Sequence, residues 1–175
     1  AHNAARMTLS EVQLPADALL GTADAAWPVL QAVLDAGRAA AAAELLGIAD
    51  EVFERTLGYL KERKQFGRLI GEFQALQHRA AMLYVDIELA RAALMKALQA
   101  LDAQPDRAAE AVAIAKAKCG SAATLAVQEG VQMHGGMGMT DQFEIGFFMK
   151  RARVLQELFG DSAFHPDRLA QLRRY

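Results

Sequence analysis

Gln132-Met133-His134-Gly135-Gly136-Met137-Gly138 places three glycines in four positions behind a histidine and a glutamine. A glycine-rich loop that follows a strand and opens a helix cradles phosphates, because its backbone N–H groups and the helix N-terminus face the anion. Here the preceding segment is alanine-rich and helical in pattern, so the plain alternative is a helix C-terminus, where glycine takes a left-handed conformation without steric cost. A second cluster is the run KERKQFGR, with Lys61, Arg63, Lys64 and Arg68. Read alone, its cations complement the negative end of a helix. A third is Asp35 and Arg38, one helical turn apart; as a surface ion pair they would contribute about 0.2–0.5 kcal/mol.

The elements that must position these residues are helical. From Trp27 onward Leu30, Leu34, Gly37, Ala41, Leu45, Ile48 and Val52 are spaced three or four apart, which predicts one long helix ending near Lys64. Leu76, Ala80, Leu83, Ile87, Ala90, Leu94 and Leu101 form a second stripe, and Val112, Ala115, Cys119, Ala122 and Ala126 a third. Between them, Gln104-Pro105-Asp106 is a helix start: proline lacks the N–H that would go unsatisfied there, and the carboxylate suits the dipole. A shorter helix carries Ile145, Phe148, Ala152 and Leu155, with Phe159 continuing the stripe as a core residue, and a fifth starts near His165-Pro166. The predicted fold class is all-α, an up-and-down bundle of long antiparallel helices joined by short connections. Residues 7–14, MTLSEVQL, read as a lone strand and are followed by the turn PADALLG. An unpaired strand leaves its backbone groups without partners, so residues 1–22 read as the end of a missing β-domain and linker ahead of a bundle domain over 23–175.

Composition excludes several functions. Hydrophobic residues make up 53% of the chain, enough for a proper core, and 19 Lys and Arg against 21 Asp and Glu give a formal charge of −2, which argues against a nucleic-acid partner. The single cysteine, Cys119, excludes an internal disulfide and a cysteine-rich metal site. No apolar run reaches the ~18 residues of a membrane span, so the expected protein is soluble and cytoplasmic.

Three segments together resemble the C-terminal helical domain of the flavin-dependent acyl-CoA dehydrogenases: LKERKQFGRLIGEFQAL, AIAKAKCGSAATLAVQEGVQMHGGMGMTDQF and FMKRARVLQEL. R-K-x-F-G, then F-Q, then Q-x-H-G-G-x-G is far more restrictive than one glycine motif. The lead EVQLPADALLG is similar to the last strand and exit loop of that family's middle β-domain. The resemblance implies FAD as cofactor, an acyl-CoA substrate, a homo- or hetero-oligomer (dimer or tetramer) and an electron-transfer acceptor. It implies that Gln132, His134, Gly135 and Gly136 approach the FAD of a neighbouring subunit, and that Arg63 meets the pyrophosphate, for which a planar guanidinium is suited. Gln65, Phe66 and Gln74 complete that wall. By the same resemblance Asp35 and Arg38 line the acyl-CoA site.

The family removes an α-proton with a carboxylate while a hydride leaves the β-carbon for the flavin. Its glutamate stands in Y-E-G-T, where this chain has Leu158-Phe159-Gly160-Asp161, so phenylalanine occupies the position of the base. Other members carry the glutamate just before the arginine of the first long helix, here Gly37. Two functions follow: a dehydrogenase with a relocated base, for which Asp161 is the candidate, or a non-catalytic subunit completing the FAD site of a glutamate-bearing partner. L-F-G-D followed by His165 resembles the small subunits of two-component members. A helical scaffold without cofactor is a third reading.

Overall fold

The computed structural model describes residues 5–140 and 142–175. Three long helices dominate: α1 (Trp27–Glu62), α2 (Gln74–Ala103) and α3 (Pro105–His134), followed by the shorter α4 (Ile145–Glu157) and α5 (Phe164–Arg173). Pro28 and Pro105 lie in the first turns of α1 and α3, where a missing N–H costs nothing. A single residue, Gln104, separates α2 from α3, which forces them antiparallel. α3 is the central element: it packs along both α1 and α2 and carries α4 and α5 on its remaining face.

The core follows the alanine stripes. Ala42, Leu45, Ala49 and Val52 of α1, Leu83, Ile87 and Ala90 of α2, and Cys119, Ala123 and Ala126 of α3 are almost fully buried. At the α2–α3 turn a second cluster is nearly all alanine, with Ala97, Ala100, Ala108, Ala111 and Ala115 around Val112. Small side chains let these helix backbones approach closely, and Gly130 shows the limit: a Cβ there would stand 2.8 Å from Val52 Cγ1 and 2.9 Å from Ile145 Cδ1.

Four sequence expectations need correction. MTLSEVQL forms no ladder; residues 7–14 run to a short 3-10 turn at Ala16–Ala18 with no strand partner among the described residues. Strand character needs a paired edge, and the bundle offers none. The stripe of α1 also enters the core later than its periodicity suggests, since Leu30 is exposed and Leu34 only half-buried. α1 stops at Glu62 rather than Lys64, because the chain turns into a two-stranded hairpin, β1 (Lys64–Gln65) with β2 (Arg68–Leu69). Its tip, Phe66-Gly67, has positive φ at both residues (53° and 78°), as a two-residue type I′ turn requires. Lastly, α4 ends before Phe159, which takes φ 62° in the turn to α5 and is 36% exposed, so it is not the core residue that the stripe predicts.

Candidate functional site

Two regions gather the candidate residues. At one end of the bundle the β1–β2 hairpin and the C-terminus of α3 face each other across a groove of about 490 Å³, lined by Arg63, Gln65, Gln132, His134, Gly135 and Gly136 together with Tyr59 and Thr140. Arg63 is the C-cap of α1; its N–H donates to the Tyr59 carbonyl, and its own carbonyl accepts from the N–H of Ile70. Its side chain is exposed and makes no ion pair among the described residues. Gly135 ends α3 with φ 59° and ψ −137°, a combination that essentially only glycine adopts. Glycine is therefore needed here as a helix stop, though not in the left-handed helical well. The structure leaves two candidates outside this lining. Phe66 stands at the hairpin tip, 88% exposed, its ring edge-on to Phe73 at 6.1 Å, and Gln74 is an exposed residue at the start of α2.

His134 lies between the rings of Tyr59 and Phe143, at 4.3 and 4.1 Å. Its Nδ1 is 2.7 Å from the Gly130 carbonyl, which can only accept, so Nδ1 carries the hydrogen and Nε2 is left as a buried acceptor without a partner among the described residues. Burial lowers its pKa, which favours the neutral ring.

The second region lies along the side of the bundle, around the Leu158–Asp161 turn. Asp35 and Arg38, each 5% exposed, are not a surface pair: Arg38 Nη1 donates to Asp35 at 2.7 Å, and Arg168 of α5 donates to the same carboxylate at 3.0 Å. Arg38 also donates from Nε to the Phe159 carbonyl at 3.0 Å. From α3, buried Lys116 donates to the carbonyls of Gln156 and Gly160, both at 3.2 Å, and His165 Nε2 donates to the Gly160 carbonyl at 3.1 Å. Side chains from α1, α3 and α5 thus hold the carbonyls of one short turn. That turn presents the Phe159 ring to Gly37, where an added Cβ would lie 2.9 Å from ring atom Cζ. The two sequence positions compared above for the base, 37 and 159, therefore meet at one place, and neither carries a carboxylate. Asp161 Oδ1 instead accepts from the backbone N–H groups of Ala163 and Phe164 at 3.0 and 2.9 Å, starting α5, and those bonds lower its pKa.

Arg168 and Lys116 were missed by sequence reasoning, and His165 entered it only as a helix start and as part of the L-F-G-D pattern. Lys116 had left a signal, since it falls between Val112 and Cys119 at helical spacing on a buried stripe. Arg168 had left none, because its partner Asp35 is 133 residues away; the bond from His165 to Gly160 is local, but its burial comes from packing. Buried His165 is held neutral, its pKa pushed down to about 4 by desolvation and by Lys116, Arg38 and Arg168. Its folded pKa lies below its unfolded value of about 6.5, so its contribution is complete above pH 6.5 and is lost as pH falls towards 4. The loss is expected to approach roughly 3 kcal/mol. Denaturant titrations at stepped pH should show this slope in the parent and a flatter one in His165→Gln; equal slopes would count against the assignment.

A sequence model of the acyl-CoA dehydrogenase C-terminal domain matches residues 25–172. The chain belongs to the acyl-CoA dehydrogenase family. Members of this family are FAD-dependent flavoprotein oxidoreductases. The chain is 35% identical over 154 residues to the probable acyl-CoA dehydrogenase YngJ of Bacillus subtilis, covering 88% of this chain and 40% of the relative. Among solved structures it is similar to butyryl-CoA dehydrogenase from Megasphaera elsdenii, with 28% identity and a TM-score of 0.87 over 94% of this chain and 43% of that one. It is also similar to the Tcur3481-Tcur3483 steroid ACAD, with 33% identity and a TM-score of 0.77 over 81% of this chain and 39% of that one. The chain thus spans about 40% of the length of these acyl-CoA dehydrogenases. Among the described residues no helix is long and apolar enough to cross a membrane, and no His, Cys, Asp and Glu cluster could hold a metal ion.

Proposed function

We propose that this chain is the C-terminal helical domain of an FAD-dependent acyl-CoA dehydrogenase, with residues 1–22 the end of a preceding β-domain, and that it supplies walls for the flavin and acyl-CoA sites and an oligomer interface. The observation that carries the reading is the groove in which Arg63, Gln65, Gln132, Gly135 and Gly136 converge. FAD is a suitable occupant. Arg63 is a charged hydrogen-bond donor suited to phosphate and has no side-chain partner among the described residues, His134 Nε2 is a buried acceptor without a hydrogen, and a Cβ at Gly136 would meet nothing within 4 Å. Nothing in the packing of this chain calls for glycine at 136, so the residue suits close approach by a group from outside the chain. Phe66 at the hairpin tip and Gln74 at the start of α2 extend the wall beyond the groove lining, and the exposed Phe66 ring is available to a molecule beyond this chain.

When bound, FAD supplies the acceptor for a hydride from the substrate's β-carbon. Arg63 holds an anion at the groove and Gly135 and Gly136 admit it. Arg38 and Asp35 line the acyl side, and Arg38 ties that side to the Phe159 turn through a carbonyl. No carboxylate stands at position 37 or 159 to take an α-proton, and Asp161 spends an oxygen on the start of α5. A second reading is favoured by that geometry: a subunit that completes the site of a glutamate-bearing partner. The similarity to an enzyme whose name joins Tcur3481 and Tcur3483 supports it. The electron acceptor is a separate protein or small carrier, and the location is the cytoplasm.

Arg63→Ala in the intact protein tests the flavin wall. Loss of a charge-assisted phosphate contact costs roughly 1.5–3 kcal/mol, about a tenfold to hundredfold weaker hold on FAD, with the helical signal unchanged. Flavin retained through gel filtration as well as in the parent would remove Arg63 from the site. Turnover by the protein alone, against turnover only after adding a glutamate-bearing partner, separates the two readings.

A further inference from the structure

We infer that the groove between the N-terminal half of α1 and α5 binds an anionic oxygen group, a carboxylate or a phosphate, carried by the substrate, with Arg168 as its principal receptor. The inference rests on the acyl-CoA reading and adds to it a residue and a ligand chemistry. The groove has a volume of about 490 Å³; Trp27, Leu34, Phe164 and Leu172 supply apolar walls, and Arg38 and Arg168 bring guanidinium groups into the same lining.

Charge balance carries the argument. Asp35, with 7% of its side chain exposed, is already paired with Arg38 at 2.7 Å, and Arg168, with 13% of its side chain exposed, joins the same carboxylate at 2.9 Å. One arginine neutralises one aspartate. A second guanidinium taken largely out of water costs desolvation that a shared carboxylate only partly offsets, so the trio carries one surplus positive charge. Asp167 also lines the groove, but it is exposed, where water and salt screen it. Arg168 spends only Nη2 on Asp35, leaving Nε and Nη1 without hydrogen bonds among the described residues. Those two nitrogens point to different sides of the guanidinium, and each is a charged donor open to a carboxylate or phosphate oxygen. The Arg38 guanidinium stands 5.3 Å from the centroid of the Phe164 ring, so apolar and cationic surfaces adjoin. That combination suits an amphipathic anion.

Two parts of an acyl-CoA carry such a group: a carboxylate at the far end of the acyl chain, or the phosphates of the CoA moiety. Calorimetric titration of the intact protein with hexanoyl-CoA, adipoyl-CoA and phosphate-free hexanoyl-pantetheine distinguishes them. Arg168→Met is expected to weaken binding of the anion-bearing ligand by about tenfold to a hundredfold while leaving hexanoyl-pantetheine unchanged. A loss confined to adipoyl-CoA assigns the acyl carboxylate; a loss shared by both CoA thioesters assigns the phosphates. Arg168→Lys, which keeps the charge but not the guanidinium's fixed donors, should fall between parent and Arg168→Met and covers the case in which the methionine variant does not fold. Unchanged binding of both CoA thioesters by folded Arg168 variants, or equal weakening of all three ligands, overturns the proposal. A parent that binds none of the three ligands would sink the acyl-CoA reading itself, and this inference with it.

Discussion

Phe159→Glu in the intact, flavin-loaded protein is expected to create or raise acyl-CoA dehydrogenation by about 10²–10⁴-fold, the usual contribution of positioned proton transfer. The Phe159 ring lies against Gly37, so a carboxylate introduced at 159 enters the space where both family base positions meet. The backbone there is already held: Arg38 binds the Phe159 carbonyl, and Lys116 and His165 bind that of Gly160. Phe159 has φ 62°, a cost both side chains share, and 36% exposure limits the desolvation penalty for the new carboxylate. The rate should be measured per flavin with an artificial electron acceptor. If a folded, flavin-loaded Phe159→Glu protein stays inert towards every acyl-CoA while Asp161→Asn abolishes activity in the parent, the base lies at 161. A parent that is inert alone and active with a glutamate-bearing partner identifies the two-component arrangement.

Asp35→Ala should be the most destabilising change in the cluster of Asp35, Arg38 and Arg168. It leaves Arg38 and Arg168 buried against each other with no counter-ion, and breaking a buried pair from one side costs about 3–5 kcal/mol. Were Asp35 and Arg38 an exposed i,i+3 pair, the same change would cost only about 0.2–0.5 kcal/mol, so a denaturation midpoint decides between the two descriptions. Asp35→Asn should fall in between, because the amide oxygen can accept from one guanidinium without matching its charge. Arg168→Met in the Asp35→Ala background should recover part of the loss by removing one of the two unpaired cations, and additive losses would show that the two residues are not coupled.

Helices were legible in the sequence because a helix is a local object. The stripes through Leu45, Ile87 and Cys119 record which face each segment buries, Pro105 marks a start, and Gly135 marks a stop. The grouping of the groove residues was legible for a similar reason: Arg63 and Gln65 are close in the chain, as are Gln132, Gly135 and Gly136, and only the approach of the two segments needed tertiary packing. Periodicity failed at chain ends and turns. Residues 7–14 alternate as a strand does, yet strand formation needs a partner that the stripe cannot supply. Phe159 sits in register with the α4 stripe, but the helix ends at Glu157 and the residue adopts positive φ.

What only the tertiary structure decided was the electrostatics around Asp35 and Arg38. Asp35 and Arg38 spaced three apart describe an exposed pair and a buried one equally well, because spacing sets which residues share a helix face and says nothing of what covers it. The cover is α5, whose Arg168 lies 133 residues from Asp35. The turn that brings Phe159 onto Gly37 is set from α1, α3 and α5 at once. Residue types and local spacing therefore determined the helices and the family of this protein, while the long-range approach of α5 to α1 and α3 decided which charges are buried and that the Phe159 ring meets Gly37.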